Sequence, residues 1–253
     1  MRLDQYLVKH KHFESREKAR QAIEDGQVIV NSKKEIKSSH KTLETDEVQL
    51  DKKKFYVSRA AKKLEFALRS FSLSPKSKLC LDVGSSTGGF SQILLEQGAK
   101  QVDSVDVGSN QMHPSLAQNP KLKLYENTDI RNFKTKSKFD LITVDVSFIS
   151  LRKIMPCIKA FAKKETVLLT LFKPQFEVGK EYLKKGISKH PNINEVLNDF
   201  AEYLSKEGLL LEKTFKVPLK GKEGNQEYFL LLSFQCRLGH TDKRTIFNRF
   251  NEN

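Results

Sequence analysis

The chain has 253 residues, with 45 Lys and Arg against 31 Asp and Glu, a net charge of +14. Hydrophobic residues at 38% and charged residues at 30% exclude a disordered or membrane-embedded chain and leave room for one large domain, or a small one plus a medium one. Apolar stretches such as Val167 to Phe172 are of strand length, far below the ~20 residues of a membrane-spanning helix, and Met1 to His12 is charged where a secretion signal is apolar. A cytoplasmic protein without stable membrane insertion is expected.

In chain order, Leu3, Tyr6 and Leu7 share one helical face. A second helix starts at Ser15 as N-cap, turns Ala19, Ala22 and Ile23 inward and stops at Gly26. Val28 to Val30, a turn at Asn31-Ser32, and Glu47 to Leu50 then predict a small antiparallel sheet. Residues 1–50 therefore form a small α+β unit, with Arg2, Arg16, Lys18, Arg20, Lys33 and Lys34 at its polar positions. The hydrophilic run Asp51 to Lys54 marks a linker over 51–55.

From Tyr56 the pattern changes to alternating helices and buried strands. Strands are expected at Leu79 to Val83, Val102 to Val107, Leu122 to Tyr125, Leu141 to Val146 and Val167 to Phe172. Helices are expected at Ser58 to Ser70, Gly89 to Gln97, Leu151 to Ala162 and Ile193 to Glu207. Leu209 to Val217 with Glu227 to Phe234 form a closing antiparallel pair, so 56–236 is an α/β domain with a doubly wound sheet. The basic tail 237–253 has little core signal. Cys80, Cys157 and Cys236 are odd in number and far apart, which predicts buried free thiols, with no disulfide framework and no metal site. The positive excess is concentrated, with 7 basic residues against 1 acidic in Lys52 to Arg69 and 10 against 3 in Leu151 to His190, the footprint of a nucleic-acid binder.

Gly84-Ser85-Ser86-Thr87-Gly88-Gly89-Phe90 places a glycine-rich turn between the first parallel strand and a helix, where α/β sheets bind nucleotides. Phe90 stands where a phosphate-cradling loop needs lysine, and Ser86 takes the place of the second glycine of the dinucleotide fingerprint. Asp106, 22 residues after Gly84, is placed to accept ribose hydroxyls, and Asp129 follows the third strand near the adenine. An adenosyl cofactor without phosphates is the expectation.

At these residues the chain resembles the TlyA ribosomal RNA methyltransferase/haemolysin family. The glycine loop, Ser58 to Leu64, Asp145 to Ile149, Lys173 to Lys180 and Gly224 to Phe229 look like its signature segments, in the same order and over nearly the whole chain. The first fifty residues are similar to its S4-like RNA-binding module. The resemblance implies an FtsJ-like, Rossmann-like domain that uses S-adenosylmethionine to methylate ribose 2'-oxygens of 16S or 23S ribosomal RNA. It implies a catalytic tetrad of Lys63, Asp145, Lys173 and Glu227. From the chemistry of these side chains, Lys173 is expected to act on the 2'-oxygen, Asp145 to position Lys173 beside the methyl donor, Lys63 to steer the substrate phosphate or ribose and Glu227 to hold the lysines in register.

A lysine can act as base near neutrality only if its pKa falls from about 10.4 by roughly three units. Alternatively it stays charged, orients the oxygen and stabilises developing negative charge; the sequence leaves both open. Arg59, Lys180, Lys184 and Lys185 join the basic residues of the first unit as candidate contacts to ribosomal RNA or a ribosomal subunit, approached by a monomer. Two other readings are weighed: a membrane-active haemolysin, disfavoured by the missing spanning helix, and an RNA-binding protein without catalysis, disfavoured by the intact tetrad and loop. Asp145-Val146-Ser147-Phe148 lacks the Pro-Pro pair of amino-group methylation, and no cysteine stands in a loop suited to attack a pyrimidine.

Overall fold

The computed structural model describes residues 1–24, 26–50, 55–190, 192–221 and 223–234. Asp51 to Lys54 of the expected linker, Cys236 and the basic tail lie outside the described residues. The chain divides into two compact units, Met1–Tyr56 and Val57–Asn253.

The first unit holds α1 (Leu3–Lys9), α2 (Arg16–Glu24), β1 (Val28–Val30), β2 (Lys33–Glu35) and β3 (Val48–Leu50). Its sheet is antiparallel in the order β2-β1-β3. Leu3, Leu7, Ala19, Ala22, Ile23, Val28 and Val30 make its core, the residues whose spacing predicts the buried faces. Ser15 accepts the Lys18 amide at 3.3 Å as the expected cap. Asn31 and Ser32, both at positive φ, make the tight turn from β1 to β2. Strand β2 carries exposed lysines and has no apolar alternation to announce it.

The second unit holds α3 (Arg59–Ser70), β4 (Leu79–Val83), α4 (Gly89–Glu96), β5 (Gln101–Val105), α5 (Pro114–Ala117), β6 (Leu122–Tyr125), β7 (Phe139–Val144), α6 (Met155–Lys159), β8 (Ala162–Phe172), α7 (Pro174–Glu177), β9 (Leu183–Lys184), β10 (Ile187–Ser188), α8 (Ile193–Lys206), β11 (Leu209–Lys216) and β12 (Tyr228–Phe234). Seven strands form one sheet in the order β11-β12-β8-β7-β4-β5-β6. Strands β4 to β8 are parallel to one another, and β12 runs antiparallel to both β8 and β11. The chain winds outward from β4 to β6 and then returns to the other side of β4, so the strand order reverses there. A crevice opens outside the carboxyl ends of β4 and β7.

The doubly wound sheet is as expected, with local differences. The helix predicted over Leu151 to Ala162 is a 3-10 turn, Leu151–Lys153, followed by the short α6. Strand β8 begins at Ala162, five residues before its apolar run: Ala162 pairs with Phe139 of β7, the exposed Lys163, Lys164 and Glu165 follow in an irregular stretch, and regular pairing resumes at Val167. Strands β5 and β7 stop at Val105 and Val144, which frees Asp106, Val107 and Asp145 for the loops at the crevice. Among the described residues no helix is long and apolar enough to cross a membrane. Cys80 is buried and Cys157 partly so, both as free thiols.

Under the crevice lies a buried polar knot. Asp82 on β4 accepts the Ser91 hydroxyl at 2.6 Å and the Thr143 hydroxyl at 3.0 Å, and Ser91 also meets Ser104 at 2.7 Å. Burial raises the Asp82 carboxyl from its ordinary 3.8 to about 7, against the pull of the two hydroxyls. The folded chain thus holds this proton more tightly than the unfolded one. The stability that it confers is present at low pH and is lost as the pH rises from 3.8 to about 7, by up to about 4 kcal/mol. Asp82→Asn should remove that slope, so the stability difference between variant and parent, read by urea unfolding at several pH values, should shift in favour of Asn across this window and be flat above it.

Candidate active site

The loop after β4 begins at Gly84, whose φ of +82° is open to glycine and strained for other residues. A Cβ there would strike the Asp145 carbonyl oxygen, so the loops after β4 and β7 touch backbone to backbone. Asp145 donates its amide to Val83 at 2.9 Å across the same gap. Gly88, at φ +92°, caps α4. Asp106, after β5, accepts the Ser86 amide at 2.8 Å and the Gly108 amide at 2.7 Å, which fixes its carboxylate toward the crevice.

These loops enclose a cavity of about 380 Å³. Of the predicted cofactor residues, Gly84, Ser86, Asp106 and Asp129 line it. Asp129 does so with its carboxylate gripped by Arg131, which holds it below the usual range in spite of some desolvation. Ser85, Thr87, Gly88, Gly89 and Phe90 do not line it. Ser85, Gly88, Gly89 and Phe90 are buried, and Phe90 packs on Phe229 at 5.8 Å between ring centres, so the second half of the glycine motif builds the turn and the start of α4. Val107, Gln111, Ile130, Ser147 and Phe148 also line the cavity, and sequence reasoning missed them. Val107 is an exposed apolar side chain one position past Asp106, a signal available in the sequence.

The wall fits a nucleoside: carboxylate for ribose, Val107 and Ile130 for a flat base. Three of its side chains are carboxylates, Asp106, Asp129 and Asp145, and among the described residues no Lys or Arg lines it. Arg131 offsets Asp129 and Lys173 offsets Asp145, so the remaining negative charge is that of Asp106, which disfavours a pyrophosphate and favours a cationic sulfonium and amine. S-adenosylmethionine carries both.

The four tetrad positions form two ion pairs, with Asp145, Lys173 and Glu227 beyond the adjacent ends of β7, β8 and β12. Lys173, after β8, has its ammonium 2.6 Å from Asp145 Oδ1, a charge contact without hydrogen-bond alignment, and donates to Ser147 Oγ at 2.9 Å. Lys63, on α3, donates to Glu227 Oε2 at 2.6 Å, and both are buried, at 8% and 3% exposure. Tyr228 pairs with Phe172 across β12 and β8, so Glu227 and Lys173 occupy neighbouring strand ends. Arg59, one helical turn before Lys63, donates to the Lys220 carbonyl at 3.0 Å, and Gly221 lies against the Glu227 carboxylate. Arg59 thus fastens a loop over the buried pair, besides being a candidate for RNA.

The other candidate RNA contacts divide by their partners. Arg2 and Arg16 both clasp Asp4, at 3.0 and 2.9 Å; burial would raise that carboxyl, but the two guanidiniums hold it below its ordinary range. Lys18 pairs with Glu14, and Arg20 with Glu24 at 2.9 Å. Lys33 and Lys34 are exposed on the edge strand β2, and Lys180 is exposed before the hairpin β9–β10. Lys184 and Lys185 sit at the tip of that hairpin, where Lys185 and Gly186 turn the chain at positive φ. Asn225, buried, ties the hairpin to the loop before Glu227 through the Gly186 carbonyl and the Ser188 amide, each at 2.9 Å.

The S4 domain family matches residues 1–48, and the FtsJ-like methyltransferase family matches 56–234. The chain is 45% identical to the 23S rRNA (cytidine-2'-O)-methyltransferase TlyA of Campylobacter jejuni, over 90% of this chain and 98% of that one. It is 37% identical to hemolysin A of Brachyspira hyodysenteriae, over 90% and 98%. A solved structure from Streptococcus thermophilus, described provisionally as a hemolysin, superposes with a TM-score of 0.71 at 33% identity, over 93% of this chain and 88% of that one. With both domains matched and a relative at this identity along nearly its full length, the chain belongs to the TlyA family, an S4 domain joined to an FtsJ-like methyltransferase domain.

Proposed function

We propose that this chain transfers a methyl group from S-adenosylmethionine to a ribose 2'-oxygen of ribosomal RNA. The observation that carries the reading is the pairing of Lys173 with Asp145, a residue that lines a cavity walled by carboxylates. When bound, S-adenosylmethionine supplies an electrophilic methyl carbon on a positively charged sulfur. Asp106 would receive the ribose hydroxyls of the cofactor, and Val107 and Ile130 its base.

Lys173, paired with a carboxylate, serves as a cation: it orients the 2'-oxygen and stabilises the negative charge that develops as the hydroxyl proton passes to water. This favours the orienting role over that of a base. Asp145 holds the ammonium beside the cavity, while Lys63 and Glu227 form a second, buried pair at the neighbouring strand end. Phe148 lies at the cavity, 89% exposed, and offers an aromatic face for a base turned out of its stack. Lys33, Lys34, Lys180, Lys184 and Lys185 supply phosphate contacts, with weaker support for Arg2, Arg16, Lys18 and Arg20, whose charges are shared with acids of their own unit.

Incubating the purified chain with methyl-labelled S-adenosylmethionine and separate small and large ribosomal subunits tests this. Label is expected in RNA, on the 2'-oxygen after nuclease digestion. Binding of the cofactor without label in either subunit or in free RNA would overturn the substrate assignment.

A further inference from the structure

Glu177 is a half-buried acid that the reaction as described does not use. It ends α7, four residues after Lys173, and does not line the cavity. Its carboxylate points at the other catalytic loop, where Oε1 accepts the Leu151 amide and Oε2 accepts the Ser150 hydroxyl, both at 2.7 Å. Ser150 Oγ in turn accepts the Arg152 amide at 3.2 Å and caps the 3-10 turn that follows. Burial pushes the carboxyl up, against the pull of these donors and the Arg152 charge, so the fold bears a cost to keep an acid here.

Two segments leave the adjacent ends of β7 and β8, and they are joined at three places. The Asp145–Lys173 ion pair joins their beginnings, a ring contact between Phe148 and Phe176 at 5.4 Å joins their middles, and Glu177 joins their far ends. Between Asp145 and Ser150 the chain passes through Phe148 at φ +65°, a conformation that a bulky residue keeps only when its surroundings impose it. Ile149 and Leu151 pack on the core, and the ring contact holds a side chain alone, whereas Glu177 grips both the Ser150 side chain and the Leu151 amide by hydrogen bonds.

We propose that Glu177 is a positioning residue for methyl transfer: it clasps residues 146–151 against α7 and thereby sets Asp145, Ser147 and Phe148 against the Lys173 ammonium. The inference rests on the reading that Lys173 and Asp145 carry the reaction. Glutamine can replace the clasp without charge, because its amide oxygen accepts from Leu151 and its amide nitrogen donates to Ser150 Oγ. Alanine cannot.

The test uses the full chain and whichever ribosomal subunit takes label, with single-turnover rates, RNA KM, cofactor Kd and melting temperature measured for Glu177→Ala, Glu177→Gln, Ser150→Ala and the Ser150→Ala/Glu177→Ala double variant. Glu177→Ala should slow transfer by about 10- to 100-fold, the loss expected when two partly buried hydrogen bonds to a carboxylate go, with RNA KM and cofactor Kd within about twofold to threefold of the parent on the same scale. Glu177→Gln should restore the rate to within about threefold, and the double variant should be no slower than Glu177→Ala alone, since both remove one clasp. If Glu177→Ala does not fold, Ser150→Ala, which removes a single bond, should still show a several-fold slower step. A parental rate in Glu177→Ala or in Ser150→Ala, no rescue by Gln, or additive losses would overturn the proposal. Full activity in Lys173→Ala would instead defeat the reading of the reaction site, and the proposal with it.

Discussion

Replacing Lys173 with alanine should slow methyl transfer by about 100- to 1,000-fold, the usual cost of removing one group that stabilises charge in the transition state. Cofactor binding should change little, because Lys173 is not part of the cavity wall. The substitution also leaves Asp145 with a poorly solvated charge and no cation, and breaking a buried pair from one side can cost about 3–5 kcal/mol. A drop in stability could therefore be mistaken for a chemical effect. Adding Asp145→Asn to Lys173→Ala removes the stranded charge; the double variant should recover its melting temperature and stay inactive. Lys173→Arg should restore little, since a planar guanidinium cannot occupy the point between Asp145 Oδ1 and Ser147 Oγ that one ammonium fills. Full activity in Lys173→Ala, at a parental melting temperature, would remove this lysine from the reaction.

Gly84→Ala should be nearly as damaging, by a different route. Left-handed backbone costs a non-glycine residue roughly 1–2 kcal/mol, and here the new Cβ also meets the Asp145 carbonyl and the Val146 side chain. Those are backbone and β-branched atoms that cannot rotate away. The β7 loop must move, carrying Asp145 off Lys173 and opening the cavity. Gly208 supplies the control: its φ is +74°, but a Cβ there meets nothing within 4 Å. Gly208→Ala should cost about 1 kcal/mol of stability and leave activity intact. Gly84→Ala should cost more and lose at least tenfold in cofactor affinity by calorimetry, roughly the strain energy expressed as binding. Equal behaviour of the two variants would mean that the contact between the β4 and β7 loops does not shape the site.

Much of this was legible in the sequence because it is local. The α/β alternation follows from apolar runs, the crevice from a glycine turn after a strand, and the acid at Asp106 from its distance along the chain. The tetrad positions were readable only through the resemblance; a lone Lys63 or Glu227 gives no sign of being buried. What stayed hidden depends on partners far away in sequence. Glu177 reads as a surface acid until Ser150 and Leu151 are seen across from it. Arg2 and Arg16 read as free RNA ligands until both are found on Asp4. The early start of β8 was missed because it rests on a single pairing of Ala162 with Phe139, separated from the apolar run by the polar, irregular Lys163 to Glu165.

The central sheet also carries its own chemical clock. Cys80 is buried in β4, the strand that delivers the glycine turn, and burial pushes its thiol up to about 12. A thiol so far from ionisation, and shielded by neighbouring strands on both sides, does not meet an alkylating reagent in the native state. With Cys157 and Cys236 replaced by serine, the rate at which Cys80 takes up such a reagent measures how often β4 parts from β5 and β7. Cofactor that bridges the loops beyond those strands would slow that clock by the factor through which it stabilises them.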